Sequence, residues 1–539
     1  MWKGLQFSNC VSVGVAKIGR MCSDEMRQPK RFALLGALLL VMLGRLFLQQ
    51  SLRAAGFEAL TADDFGRVVF AARWAINPHP LWHGPWLPFH TYFVGFLLTL
   101  NWELLYLPRL IGSIVGFVSL GLMYLLSLHL FQSKLTALTS TVLLALNPAH
   151  TWLALTPLTE LLNFALLITC SLWLVRYEDE HKKGFLLLGL FPLMIATATR
   201  FESWGFGATL VIYFVLKAVY SLLKGGEYIR NADWLAVGAA GAAVSIFPLA
   251  WILGNYLETG NGLYFLTINR AFDMKWYGNQ RDYLAYWNTL FKIDPLTTVL
   301  ALPSVLVCLY KNRTLPRVRM YMCLIGIPFA FFVLLQGGQV QPYGNYIRYL
   351  SQFLFPLYPV VSWLIVLALR TLFVKRATAV ISLCMFIIVM ATIQVPSMFK
   401  FQNDPAVEGL RVGQRLREIW ADDPSNKKKP VLIELNYWQY LGIHVGANDI
   451  FHIIYDRPLD FSLMNNSTSS LDKQVIQNCV AYYHIGYIIV RDPKLLQLVK
   501  TTLQALPSEK VDNYSIFYVD QATYSKRTGQ CPLVIGKGY

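Results

Sequence analysis

Charge is what this 539-residue chain has least of: Asp, Glu, Lys and Arg together make up 14% of it, against about 25% in a soluble globular protein. So little charge cannot clothe a water-facing surface, which excludes an ordinary soluble enzyme. Of the 8 cysteines (Cys10, Cys22, Cys170, Cys308, Cys323, Cys384, Cys479 and Cys531), no two stand in CxxC spacing, so no cysteine metal cluster is implied. Four of these cysteines lie in apolar runs, where a small hydrophobe suffices. Cys479 and Cys531 could pair if their part of the chain is extracytoplasmic. No GxxxxGK[ST] loop and no strand-borne GxGxxG occurs. Lacking a backbone cradle for phosphates, the sequence disfavours an ATP-driven pump or a nucleotide-sugar site. No long repeat or low-complexity tract is present.

What the chain has instead is apolar surface, with 55% hydrophobic residues, 15 Trp, 28 Tyr and 33 Phe. Aromatic rings in such number suit two membrane–water interfaces. The formal net charge of +16 comes from short basic clusters between apolar runs rather than one basic face, which disfavours nucleic acid as a partner. A first mostly apolar run, Phe32 to Leu48, follows the basic segment 1–31 and lacks a convincing signal-peptide cleavage site. Ten further runs lie near 109–131, 135–150, 157–176, 184–200, 203–222, 233–256, 295–310, 318–336, 349–370 and 376–395. A crossing needs about 20 mostly apolar residues, so the pattern predicts about eleven membrane helices over 32–398. Basic turns at Lys134, Arg176 with Lys182 and Lys183, Lys217 with Lys224, Lys311 to Arg319 and Arg370 to Arg376 fall on one side of that pattern. Lys and Arg collect in short cytoplasmic loops, so a cytoplasmic N-terminus is expected. Trp86 to Leu105 would invert every later loop if it crossed, and is read as interfacial or re-entrant inside a long first outer loop, 51–108. Residues 399–539 turn polar, with β-branched or aromatic runs at Val431 to Leu435, Tyr487 to Val490 and Tyr514 to Val519, and helical stretches near 407–420 and 494–505. They read as a small extracytoplasmic α/β domain. Asn466-Ser-Thr468 and Asn513-Tyr-Ser515 are glycosylation sequons there.

Ionisable residues where apolar helices meet the outer loops are the candidates for chemistry, since charge near lipid is costly and usually functional. Asp63-Asp64, in Thr61-Ala-Asp-Asp-Phe-Gly-Arg67, offers a general base beside a metal or substrate anchor. The same residues also fit a helix start, with Thr61 or Asp63 capping a helix through Arg73, and both readings can hold. Glu160 closes Thr156-Pro-Leu-Thr-Glu160, which equally suits a cap. Arg200 and Glu202, in Thr199-Arg-Phe-Glu-Ser-Trp204, suit a phosphate grip with an orienting acid, or a plain salt pair. Arg348, in Tyr346-Ile-Arg-Tyr349, could hold an anionic headgroup or snorkel. His79, His83, His90 and His150 match no familiar metal spacing. Gly112 and Gly116 form a GxxxG that suits close helix packing.

A first helix, an acidic pair opening a long loop, Pro-rich sequence with an amphipathic helix, Arg109 at the next helix, the Thr-Pro-Leu-Thr-Glu160 turn, Thr-Arg200-Phe-Glu202, and Arg348-Tyr349 with Pro356 stand in order along 32–395. This set resembles the GT-C superfamily of polytopic glycosyltransferases, on the side of the protein O-mannosyltransferases and lipid A aminoarabinose transferases. The resemblance implies a sugar moved from a polyprenyl-phosphate (dolichyl or bacterial) donor to a hydroxyl of a protein, lipid or glycan acceptor on the extracytoplasmic face, with inversion. It puts the base at Asp63 or Asp64; this sequence has Asp-Asp where the familiar pair is Asp-Glu, which leaves the choice open. Glu160 and Glu202 would position substrate or metal, and Arg200 and Arg348 would take the donor phosphate. A divalent ion at Asp63, Asp64 and Glu160 is a candidate cofactor, with no nucleotide cofactor. The expected location is a bacterial or archaeal plasma membrane, or the endoplasmic reticulum of a eukaryote. A secondary transporter or lipid flippase is the alternative, and would put polar groups near the bilayer midplane. A membrane scaffold with a recognition domain would leave the outer acids and bases apart.

Overall fold

The computed structural model describes residues 31–223, 231–277, 282–336, 343–373, 375–422, 428–435, 438–456, 471–503, 508–519 and 530–533. The basic segment before Arg31, with Cys10 and Cys22, and the sequon at Asn466 lie outside the described residues.

The helices run in order α1 (Arg31–Ala54), α2 (Asp63–Ile76), α3 (Phe89–Leu100), α4 (Tyr106–Phe131), α5 (Lys134–Leu146), α6 (Pro148–Leu155), α7 (Thr159–Glu180), α8 (Lys183–Thr197), α9 (Glu202–Leu223), α10 (Asn231–Thr259), α11 (Tyr264–Tyr277), α12 (Tyr283–Ile293), α13 (Pro295–Asn312), α14 (Pro316–Gln336), α15 (Tyr343–Leu354), α16 (Tyr358–Leu372) and α17 (Arg376–Met398). Among the described residues, 8 stretches are long and apolar enough to cross a membrane: α1, α4, α7, α9, α10, α13, the stretch Ile347–Leu372 through α15 and α16, and α17. The protein is therefore a polytopic α-helical membrane protein. Three of the expected crossings fall outside that set. The run 135–150 divides because Asn147 leaves the helix and caps a new one, its Oδ1 accepting the His150 N–H, with Pro148 in the first turn. That leaves α5 with 13 residues, and α8 has 15. At 1.5 Å per residue they reach about 20 and about 22 Å, short of a hydrocarbon core of about 30 Å. α14 has 21 residues. Within Trp86 to Leu105 the helix is α3, only 12 residues, too short to cross.

Exposed and buried positions separate along α1. Leu39, Leu40, Leu43 and Phe47 are exposed while Arg45, Gln49 and Leu52 turn inward. Gly112 and Gly116 bring α4 against α6 and the turn after it, where a Cβ would meet the Thr156 carbonyl at 2.7 Å and the Ala154 Cβ at 2.8 Å. At the C-terminal end of α7, Glu178 pairs with Lys217 at 2.9 Å and Asp179 with Arg317 at 2.9 Å. These basic turns gather at one end of the bundle, about 27 Å along α7 from Glu160 by helical rise.

Beyond α17 come α18 (Val407–Asp422), β1 (Val431–Ile433), α19 (Gln439–Ala447), β2 (Ile453–Tyr455), α20 (Lys473–Tyr483), β3 (Tyr487–Val490), α21 (Pro493–Leu503), β4 (Ser508–Val511) and β5 (Tyr514–Tyr518). They form a mixed sheet of order β2-β1-β3-β5-β4, parallel across β2, β1 and β3 and antiparallel at β3-β5 and β5-β4. Cys479 and Cys531 are disulfide-bonded, fastening the end of the chain to α20. The sheet unit rests on the first loop: Phe65, Val68, Val69 and Ala72 of α2 and Leu98 of α3 share one core with Leu410, Tyr440, Leu441 and Ile443. α18 and α19 cross through paired glycines. A Cβ on Gly409 or Gly413 would run into the Gln439 or Ile443 carbonyl, and one on Gly442 or Gly446 into the Ala406 or Leu410 carbonyl.

Because backbone cannot yield to a methyl as a flexible side chain can, Gly442→Ala should cost roughly 1–3 kcal/mol, the range of overpacking. A thermal-shift melt in detergent that matched the wild type would show that this crossing is not tight.

Candidate functional site

The charged cluster is assembled from the start of α2, the start of α7, the turn between α8 and α9, and α15. Glu160 stands in the first turn of α7, where Leu158 occupies the cap position with no side-chain bond. Its carboxylate caps nothing. Instead Glu160 Oε1 accepts hydrogen bonds from Arg200 Nη1 at 2.6 Å and Arg348 Nε at 2.7 Å, with its side chain 0% exposed. Arg200 also engages Glu202 with two nitrogens, at 3.1 and 2.6 Å, and donates to Thr159 Oγ1 at 3.0 Å. Arg348 extends its remaining reach to Asp63 Oδ2 at 2.7 Å and Thr61 Oγ1 at 3.3 Å. It does not snorkel: Arg348 is 2% exposed. The Tyr349 ring lies beneath both guanidinium groups, 5.6 Å from Arg200 and 5.8 Å from Arg348. Ser203 donates to Asn163 at 2.6 Å and Asn163 to Gln352 at 2.9 Å, tying α9, α7 and α15 together just behind the ion pairs.

The two adjacent aspartates occupy different surroundings. Neither Thr61 nor Asp63 caps α2, whose cap position is Ala62 in helical conformation. The side chain that reaches back is Asp64, with Oδ2 accepting the Leu60 N–H at 2.8 Å. Asp64 is buried and its Oδ1 has no partner. Burial, only partly countered by Arg348, pushes its carboxyl up to about 8. Asp63, by contrast, has a side chain 35% exposed and faces Arg348.

Arg67 belongs to the same cluster and was not among the expected residues. It is buried, its guanidinium lies 4.6 Å above the Trp86 ring, and burial brings it down to about 10. Its spacing of four residues from Asp63, one helical turn, is the signal that could have found it. Gly66 provides the room, since a Cβ there would already touch Trp86 at 3.2 Å. Arg109 stays outside the cluster and pairs with Glu58 at 2.7 Å. His150 bonds to Ser119 at 2.8 Å and to Arg45 at 2.9 Å inside the bundle.

A divalent ion on Asp63, Asp64 and Glu160 does not fit this arrangement. The Arg348 guanidinium occupies the space between Asp63 and Glu160, where a cation would be repelled, and Asp64 turns away to Leu60. Among the described residues no three His, Cys, Asp or Glu side chains come together as a metal site.

No protein-family model matches the chain, and neither does any curated protein. Solved structures do. What the chain shares with them is the fold. ArnT from Cupriavidus metallidurans in the apo state superposes with a TM-score of 0.60 at 11% identity, over 92% of this chain and 100% of that one. The same protein bound to undecaprenyl phosphate gives 0.58 at 13% identity, over 89% and 98%. The archaeal oligosaccharyltransferase AglB from Archaeoglobus fulgidus, in complex with an inhibitory peptide and a dolichol-phosphate, gives 0.52 at 12% identity, over 85% and 69%.

Two measurements probe the cluster. Removing one partner of a buried ion pair typically costs about 3–5 kcal/mol, so Arg348→Ala should lower the melting temperature more than Glu202→Gln, whose site is partly open. Asp64 titrates near 8 when folded but near 3.9 in an unfolded chain. Between those values the folded state holds the extra proton, so stability should fall as pH rises from about 4 to about 8. Asp64→Asn keeps the shape without the proton, and should flatten that fall in a pH series of melts. An unchanged slope would mean that Asp64 is already ionised.

Proposed function

We propose that the protein is a glycosyltransferase that moves a sugar from a polyprenyl-phosphate carrier to an acceptor hydroxyl on the extracytoplasmic face of the membrane, with inversion. The observation that carries this reading is the single chain of ion pairs Asp63–Arg348–Glu160–Arg200–Glu202, delivered by four separate segments to one end of the apolar bundle. It is supported by the GT-C fold. It is also supported by the undecaprenyl phosphate and dolichol-phosphate found in two of the structures sharing that fold. Lys and Arg collect at the opposite end, which favours the cluster's end as the extracytoplasmic one.

The carrier phosphate would be held by Arg348 and Arg200, whose planar forks suit a phosphate and are fixed beforehand by Glu160 and Glu202. A phosphate arriving at Arg348 competes with Asp63 for the same guanidinium, and so frees that carboxylate. Asp63 then accepts the acceptor hydroxyl proton while the hydroxyl oxygen bonds to the anomeric carbon. The bond from that carbon to the phosphate oxygen breaks, its electron pair stays on the phosphate, and the configuration inverts. Glu160 serves as the fixed anion that keeps both arginines charged and aimed. Asp64, raised toward neutrality by burial, anchors the loop rather than taking the proton.

Asp63→Asn should reduce transfer from a radiolabelled polyprenyl-phosphate sugar in proteoliposomes by at least about 10²-fold, the lower end for general-base assistance, with folding intact. Asp64→Asn should retain most activity at neutral pH. The reverse ranking of the two variants would overturn the assignment of the base.

A further inference from the structure

The sheet unit is fastened to the loop that joins α3 to α4, and at the end of that loop the chain enters the bilayer. The spanning segment α4 begins at Tyr106. Along one flank of it Tyr106, Leu110, Ile114 and Val118 are exposed at every fourth position, and the exposed apolar flank of a spanning helix has lipid as its solvent. The bare surface continues past the helix. On α3, Phe96 and Leu100 are exposed, Leu100 at 70%, while Val94 and Leu98 are buried in the core shared with the sheet unit. Between the two helices, Asn448 Oδ1 accepts the Leu104 N–H at 2.8 Å and Asn448 Nδ2 donates to the Trp102 carbonyl at 3.2 Å. Asn448 is the left-handed C-cap of α19, at φ 51°. Three residues beyond it, the Phe451 ring stacks on the Trp102 ring with centroids 6.2 Å apart, and Phe451 is 51% exposed. Among the described residues of the sheet unit, the exposed large hydrophobic side chains are Phe451 and Tyr482. Tyr482 belongs to α20, whose core lies on the opposite face of the sheet from α18 and α19. The charges beside Phe451 cancel: Arg417 pairs with Glu103 at 3.1 Å and Lys428 with Asp449 at 2.8 Å.

We propose that Phe451 and Trp102 form a membrane-contact site of the sheet unit, seated among the phospholipid headgroups of the leaflet that α4 enters at Tyr106. The inference does not depend on the activity proposed above. Its warrant is continuity: the Phe451 ring rests on a residue two positions from bare Leu100 and four from bare Tyr106. A ring held there lies at the depth where the chain passes from water into lipid, and aromatic side chains settle at that depth. A contiguous apolar patch with polar neighbours marks an interaction surface. A protein partner would need the patch to run on over the sheet unit, whereas the other exposed ring there, Tyr482, stands on the far side of the sheet. Because the neighbouring charges cancel, a zwitterionic bilayer suffices and anionic lipid is not required. The sheet unit is then gripped twice, by α2 and by the bilayer, and the height of Asp63 above the lipid is set by both.

The test uses the full-length protein in nanodiscs of palmitoyl-oleoyl phosphatidylcholine. The photoreactive residue p-benzoylphenylalanine replaces Phe451 in one variant and Tyr482 in another, and after irradiation the peptides are weighed by mass spectrometry. The peptide carrying position 451 should gain the mass of one phospholipid, and the peptide carrying position 482 should not. Lipid at both positions, lipid at neither, or a protein cross-link in place of lipid at 451 overturns the assignment. Adding phosphatidylglycerol should leave the yield at 451 unchanged; a yield that appears only with the anionic lipid overturns the neutral contact. A smaller change checks the same point without the bulky probe. The emission that Phe451→Trp adds over the wild type should be lost in nanodiscs of acyl-brominated phosphatidylcholine, while the emission added by Tyr482→Trp should survive. Equal quenching of the two variants, or no quenching of either, overturns the proposal.

Discussion

A carboxylate with no exposure at the mouth of an apolar helix must be matched by positive charge, because an unpaired buried ion costs far more than folding can supply. Glu160 imposes this condition on the fold. Nothing in α7 itself can meet it, and the two guanidinium groups that do come from 40 and 188 residues further along the chain. Packing α7 against the α8–α9 turn and α15 is therefore an electrostatic requirement as much as a hydrophobic one. Arg348 then carries the requirement onward, since its second arm reaches Asp63 and so fixes where the first loop must lie.

The amphipathic α2 is the piece on which the two halves of the molecule agree. Its apolar face is buried against α18 and α19, while Asp63 faces Arg348, Asp64 turns back to the Leu60 N–H and Arg67 lies over Trp86. The segment following α17 braces the same loop: Asn403 Oδ1 accepts the Glu58 and Ala59 N–H groups at 2.8 and 3.2 Å, and the Asp404 N–H donates to the Ala59 carbonyl at 3.1 Å. The sheet unit thus holds the acidic loop from above while Arg348 holds it from below. A loop clamped on two sides can keep a carboxylate at a set place without burying it, as Asp63 is kept.

Much of this could be read from residues in order. Hydropathy over about 20 residues is a strong signal because the bilayer sets its length, and it located each apolar run. It cannot register a break that leaves composition unchanged, and Asn147-Pro148 ends α5 inside a run that remains apolar throughout. In the sheet unit, β3 at Tyr487–Val490 matched its aliphatic run, whereas β2 has only 3 residues and β4 reads Ser-Glu-Lys-Val, too short or too polar to stand out. Asp63, Glu160, Arg200, Glu202 and Arg348 were each legible as costly charge near lipid, but each also fitted a local cap or salt pair. The local readings failed for Asp63 and Glu160 because the partners lay in distant segments, and convergence of that kind leaves no trace in local spacing. The glycine pairs of α18 and α19 were equally silent, because a small residue announces itself only when its neighbour is known.

Two adjacent carboxylates rarely share one task when their surroundings differ this much. Asp64 is enclosed, hydrogen-bonded through one oxygen to the Leu60 N–H, and raised toward neutrality by the loss of solvent. Asp63 keeps contact with solvent and faces the Arg348 guanidinium. Here the division has a structural cause that precedes any substrate: successive residues on a helix point about 100° apart, so a loop that offers Asp63 to Arg348 must turn Asp64 into its own base. The second acid needs only to be short enough to reach back to the backbone of the turn that presents the first.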